Sequence, residues 1–453
     1  MESFFREAKK ATFQKLFSPT LLHVSRIQHL IQGEKMKLAN LSLAAIVVAG
    51  LTTSSFAADT LADAFKEGKI SGEIREWYFN RNKEVKKSDS EIFITGLQLH
   101  YETAKFYGLS LGVTSQTSAA PFAGATAKSV FGTGGSNDDI YGSGTQISEA
   151  YVIYTLDNTT AKVGRQFIKT PMIGSSTSRP ITQSFEGALV TNTDIPGTSI
   201  MVGAITKYQD RTDGAGNVSQ FNELDNDHDF AYTAMVVNKS IPHTELTFQY
   251  LTLDNDSKGS SAANKLKGFE NYYFEAEYTN KAGAFDYGLS GNFLYTDWES
   301  HPAAYMTGAK ASLGYGNFKT YVAYSIISDD RDNQGIKAGL GGGAQPNYVK
   351  GYQVRVGTFS SDTTGVSVDA NYNFQAIGLT TGARYTQLDV NSVAATLNNQ
   401  TITDFYANYQ FVGPLKGLET QVIYTILGDE SAISATAGSG KGEELWFKAT
   451  YKF

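Results

Sequence analysis

The sequence predicts an antiparallel transmembrane β-barrel of eighteen strands. Three observations carry this. The chain closes on Leu445-Trp-Phe-Lys-Ala-Thr-Tyr-Lys-Phe453, where Leu445, Phe447, Ala449, Tyr451 and Phe453 alternate with Trp446, Lys448, Thr450 and Lys452. Such a strand has one apolar face and one mostly polar face, as a wall between lipid and a watery lumen requires. Eight short polar turns are flanked by strands that begin and end in aromatics, and the stretches on the other side are long and polar.

The turns run in order: 101–107, 154–161, 192–198, 238–244, 278–285, 315–318, 374–379 and 411–418. Each joins two strands; a first strand near Ile70 to Arg81 and a last one near Leu445 bring the total to eighteen. An even count with both strand ends on the short-turn side suits a bacterial barrel with periplasmic turns. Thr117 to Gln146, Gln209 to Asp229, Asn255 to Glu270 and Ser328 to Val349 are rich in Gly, Ser, Asn and Asp and read as extracellular loops, because a loop in hydrocarbon leaves backbone groups unpaired. Tyr352 to Phe359 also has strand character. It would make the count odd, so it is assigned to a hairpin within the loop before Val366 to Phe374.

Alternation assigns faces. Val366, Val368, Ala370, Tyr372 and Phe374 go to lipid, and Ser367, Asp369, Asn371 and Asn373 go to the lumen. Asp286, Ser290 and Asn292 point inward beside outward Tyr287, Leu289 and Phe293, and Arg384 and Lys448 fall inside. A charge facing mid-bilayer would cost about 2–4 kcal/mol. The expected interior is wet and charged, an aqueous channel rather than a packed core.

The N-terminal region divides. Met36-Lys37, an apolar run Leu38 to Leu51 broken by Asn40 and Ser42, and small residues at Ser55 and Ala57 predict a secretory signal peptide, 36–57, cut after Ala57. Residues 1–35 precede a complete signal and read as an extension from a start assigned too early. The barrel domain is 58–453. Removing the seven Lys/Arg and three Asp/Glu of residues 1–57 from the chain's 38 and 45 leaves a net charge of about −11, which argues against a nucleic-acid partner. The absence of cysteine excludes disulfides, thiolate metal sites, cysteine nucleophiles and lipoprotein anchoring.

Little else suggests chemistry, and no cofactor is expected. His100, His228, His243 and His301 have no metal-ligand spacing. Asp225-Asn-Asp227-His228-Asp229 lacks the Gly and Glu that an EF-hand loop needs, since Phe230 and Val236 stand there, so it reads as a hydrated loop that divalent cations could bridge to lipopolysaccharide. Asp227 and His228 resemble the Asp/His pairs of outer-membrane proteases, but that fold has far fewer strands. Gly132-Thr-Gly-Gly135 and Gly339-Leu-Gly-Gly-Gly343 lack the strand, helix and Lys of a phosphate cradle and read as loop glycines. A plugged, energy-coupled transporter needs a folded domain before the first strand, and only about a dozen residues separate Ala58 from Ile70.

Two stretches carry a family resemblance. The first is Lys69-Ile-Ser-Gly-Glu-Ile-Arg75-Glu-Trp-Tyr78-Phe-Asn-Arg81. The second runs from Lys162-Val-Gly-Arg165 through Thr170-Pro171, Ser178-Arg179-Pro-Ile-Thr182-Gln183-Ser-Phe185-Glu186-Gly187 and Asp194-Ile-Pro-Gly197 to Thr206-Lys207. They resemble the OprD-type outer-membrane porins of Gram-negative bacteria. The resemblance implies an 18-stranded barrel with an inward-folded constriction loop, conducting small anionic or zwitterionic solutes such as carboxylates and amino acids. It also implies that the barrel-assembly machinery reads Phe453, and that a ladder of basic residues faces a small acidic and polar pocket. The ladder carries over to Arg75, Arg81, Arg165, Arg179 and Arg384, with Glu186 and Lys448 as further channel-lining candidates. Arginine suits a ladder because its fork grips a carboxylate through two bonds and stays charged. The bland alternative for each rung is a salt bridge to a neighbouring acid, Glu186 in the case of Arg179. Alternation sets Arg165 with Val163 and Phe167, which calls for a bulge or a register change if it is to face the lumen.

The expected function is passive diffusion of small hydrophilic solutes across the outer membrane, with lipid and lipopolysaccharide as surroundings and no enzymatic activity. The alternative is a surface adhesin or structural barrel, supported by the long Gly/Ser/Asn loops. Monomer and trimer both remain open.

Overall fold

The computed structural model describes residues 58–83, 90–124, 140–214, 216–224, 230–253, 268–299, 301–329, 335–352, 359–391, 399–429 and 441–453. The expected N-terminal extension and signal peptide, the 225–229 acidic run, Gly132 to Gly135 and positions 353–358 of the expected extra hairpin lie outside the described residues.

Among the described residues, nineteen strands join one antiparallel sheet. They are β1 (Lys69–Lys83), β2 (Ser90–Glu102), β3 (Leu109–Ala119), β4 (Gly144–Leu156), β5 (Thr159–Gln166), β6 (Ser184–Asn192), β7 (Thr198–Gln209), β8 (Phe221–Glu223), β9 (Ala231–Asn238) and β10 (Thr244–Leu253). They continue with β11 (Phe269–Ala282), β12 (Phe285–Trp298), β13 (Ala304–Tyr315), β14 (Phe318–Ile327), β15 (Thr363–Phe374), β16 (Leu379–Val390), β17 (Gln400–Gln410), β18 (Leu418–Asp429) and β19 (Gly442–Lys452). The three-residue β8 only extends the pairing at the end of β7, where Phe221 to Glu223 oppose Lys207 to Gln209. The other eighteen form the wall. Because β1 pairs with both β2 and β19, the wall closes on itself.

All eight short turns fall where the sequence places them. Those at Asp157-Asn158, Gly283-Ala284 and Gly316-Asn317 begin on a residue with φ of 48°, 61° and 57°, as tight hairpins with right-twisted strands require. The last residue completes the seam. The Gly72 N–H donates to the Phe453 carbonyl at 2.9 Å, and the Phe453 N–H donates back at 3.1 Å. A short helix, Leu61–Lys66, capped by the Thr60 hydroxyl, docks beside the first short turn through the Ala104 N–H, which bonds the Ala64 carbonyl.

Faces follow the alternation. Val366, Val368 and Tyr372 are exposed on the outer wall, and Ser367 and Asp369 are buried inside. Leu289 and Phe293 face out while Asn292 faces in. The expectation of a wholly wet interior is corrected on one side of the barrel. There Ile168, Met172 and Ile173, from the segment between β5 and β6, meet Ile336 and Leu340, from the segment between β14 and β15. Together they cover inward Leu251, Leu253, Phe269, Leu294 and Met306. Fully burying such a side chain contributes roughly 1.5–3 kcal/mol, so both segments are held inside by a dry core.

Candidate functional site: the constriction and lumen

The segment between β5 and β6 leaves the sheet at Phe167, four residues before Pro171. Its first free amides are met at once: the Phe167 N–H donates to Glu149 Oε1 at 3.0 Å and the Ile168 N–H to Ser175 Oγ at 3.0 Å. A second inward segment locks onto it. Ile173 and Leu340 form a parallel bridge, the Leu340 N–H donates to the Met172 carbonyl at 2.8 Å, and the Gly343 N–H donates to the Gly174 carbonyl at 2.9 Å. This explains the glycine run. A Cβ on Gly339, whose φ is +132°, would stand 1.9 Å from the Met172 carbonyl oxygen. The second segment is fixed to the wall by the Tyr348 hydroxyl, which donates to Glu275 at 2.5 Å. Burial and then the Glu275 bond push the Tyr348 pKa up, so its hydroxyl remains a donor.

Basic side chains gather on the constriction segment. Arg75 Nη1 donates to the Pro180 carbonyl at 2.7 Å, while its Nη2 pairs with Glu73 at 2.8 Å. Lys448 Nζ donates to the Ser178 carbonyl at 3.3 Å and lies over Trp77, 4.4 Å from its ring centre. The Arg179 guanidinium bonds Ser178 and lies over Trp446 at 4.8 Å, while Arg211 Nη2 reaches Ser178 Oγ at 3.4 Å. Arg211 is a component the sequence reasoning missed. It sits just past the end of β7 in a polar loop, where the only signal was an Arg following Asp210 at a strand terminus.

The remaining candidates separate. Arg81 is buried and bonds Glu444 at 3.0 Å, the salt-bridged arrangement instead of an open rung. Arg384 faces the lumen, pairs with Asp369 at 3.0 Å and lies over Tyr321 and Tyr352. Arg165 and Glu186 are corrected. They pair with each other at 3.1 Å, and the register aligns Arg165 with Ala150 and Glu186. Val163, two residues earlier on the same face, is 51% exposed on the outer wall, whereas inward Gln166 registers with buried Phe185. Both charges therefore lie outside the lumen at the upper end of β5 and β6, with Arg165 over Phe221 at 4.4 Å. The plain alternation of β5 holds, without the register change a lumen position needs. A Glu186 bridge to Arg179 is ruled out by the same geometry.

Below the constriction, on the short-turn side, the lumen holds two cavities. One of ≈ 760 Å³ carries Arg75, Lys448 and Lys452 with Glu73 and Glu419. The other, ≈ 970 Å³, carries Lys281, Lys319 and Arg384 with Asp286 and Asp369. Each thus has three cations against two carboxylates, although the chain as a whole is acidic.

A model of the Campylobacter major outer membrane protein family matches residues 36–240. Solved structures share the architecture: Pseudomonas aeruginosa OpdK with vanillate is 13% identical at a TM-score of 0.67, covering 86% of this chain and 99% of that one. The chain has the OprD-type porin fold. Pseudomonas aeruginosa OccK9 (OpdG) matches this chain at 16% identity and a TM-score of 0.69, over 86% and 99% of the two chains. Pseudomonas aeruginosa OccK2 (OpdF) in complex with glucuronate matches it at 14% and 0.66, over 86% and 98%. No curated protein matches. The family-model match over residues 36–240 and the shared barrel architecture both make the chain similar to outer-membrane porins.

Proposed function

We propose that this porin is a passive diffusion channel for small hydrophilic solutes, carboxylates and amino acids foremost. The observation that carries the reading is the charge of the lumen: both chambers are lined by more cations than carboxylates in a chain with net charge −7. Low dielectric near the wall strengthens each lumen cation's pull on an anion, and chambers bounded by paired charges bind weakly enough to release it. Two of the similar structures, OpdK with vanillate and OccK2 (OpdF) in complex with glucuronate, hold carboxylates, which supports the class without naming this chain's solute. The test is uptake into liposomes holding the purified protein, with a panel of carboxylates, amino acids and neutral sugars of matched size. Carboxylates are expected to enter faster than sugars; equal rates would reject anion preference, and no uptake would favour an adhesin or structural barrel.

A further inference from the structure

The two chambers meet at one aromatic ring. Among the residues lining each cavity only Tyr352 and Thr380 belong to both. The Tyr352 ring stacks on Tyr406 with centroids 4.4 Å apart and lies under the Arg384 guanidinium at 5.1 Å; Tyr406 and Arg384 line the larger chamber alone. Its hydroxyl accepts from Gln421 Nε2 at 3.5 Å, and Gln421 lines the smaller chamber alone. The side chain therefore stands between them, touching one chamber with its face and the other with its tip.

The backbone holds it there. The Tyr352 N–H donates to Asp404 Oδ2 at 2.8 Å, and the other Asp404 oxygen accepts from the Thr425 hydroxyl at 2.5 Å. Asp404 is itself fully buried in the wall. A ring clamped between a stacked aromatic and a cation, with its main chain fixed to a buried carboxylate, forms a rigid wall rather than a mobile flap.

We propose that Tyr352 is the partition of this pore: it divides the lumen below the constriction into two chambers and sets the largest solute that can pass. The partition rests on the channel reading above. Its position also gives it chemistry, since a planar solute leaving the smaller chamber meets the ring edge beside Gln421, while its carboxylate can reach Arg384 across the ring.

The test is single-channel recording of the wild type, Tyr352→Ala and Tyr352→Phe, with polyethylene glycols of graded size added to find the exclusion limit. Removing the ring lets two chambers of comparable volume share one passage, so Tyr352→Ala is expected to raise unit conductance by on the order of twofold and to admit larger polymers. Tyr352→Phe keeps the ring and is expected to recover most of that difference. If Tyr352→Ala fails to give a heat-modifiable barrel, Tyr352→Leu replaces it, with the same rise expected. A folded Ala or Leu variant with wild-type conductance and exclusion limit overturns the partition, as does a Phe variant that rises as far as the Ala one. A wild type that never conducts overturns the channel reading and the partition with it; a conducting wild type with an indifferent Tyr352 overturns the partition alone.

Discussion

Replacing Arg75 by Ala tests how the constriction is held and charged. The guanidinium is 4% exposed and makes three kinds of contact: the Pro180 carbonyl at 2.7 Å, Glu73 at 2.8 Å and Gln98 at 3.3 Å. Its removal leaves the Pro180 carbonyl without its strongest donor, a loss of about 1–3 kcal/mol for a buried acceptor. Glu73, 26% exposed, turns to lumen water, so its share is discounted. The segment is also held through Gln116, which accepts from the Thr182 N–H at 2.8 Å and donates to the Thr182 carbonyl at 2.9 Å. It should shift rather than unfold. Loss of one lumen cation removes attraction for a passing anion of about 1 kcal/mol at 4 Å in a water-like medium, more where water is thinned. At 1.4 kcal/mol per decade this is a fall of about fivefold in the anion-to-cation permeability ratio. Reversal potentials across bilayers in a KCl gradient read that ratio directly. Arg75→Lys keeps the charge but loses the fork, so it should retain most of the anion preference while current noise rises. An Arg75→Ala channel with wild-type reversal potential would refute the role of lumen charge, and a quiet wild-type conductance would refute the clasp.

Three further outcomes follow from the placements. Arg165→Ala should leave reversal potential unchanged and cost no more than about 1 kcal/mol, since its pair with Glu186 is half-exposed on the outer wall; heat-modifiability and selectivity check both. Asp369→Asn removes a lumen carboxylate and leaves the Arg384 charge unbalanced, so reversal potential should move toward anions. Gly339→Ala places a Cβ 1.9 Å from the Met172 oxygen at a φ few side chains adopt, so the two inward segments should part, with altered conductance or a lower yield of folded barrel.

The wall was legible because its signals are local. A tight turn such as Tyr315-Gly-Asn-Phe318 and an alternating strand such as Val366 to Phe374 declare themselves within a dozen residues, and closure follows from counting. The dry core was not legible. Leu251, Leu253 and Phe269 face inward yet are apolar because Met172 and Leu340, far away in sequence, cover them. Arg165 shows the opposite case: alternation with Val163 already placed it outside, and the resemblance to a conducting ladder suggested otherwise. Arg75, Arg179, Arg384 and Lys448 do face inward, but most are engaged with carbonyls or carboxylates, which sequence spacing does not reveal. Arg211 escaped because a loop residue's position depends on where the whole loop folds.

The most direct measurement is single-channel recording of the purified wild-type protein in a planar bilayer under a salt gradient. Discrete conductance steps with a reversal potential on the anion side are the expected result, because both chambers below the constriction carry more cations than carboxylates. A folded, heat-modifiable barrel that never conducts, or one that conducts with a clear preference for cations, would contradict it.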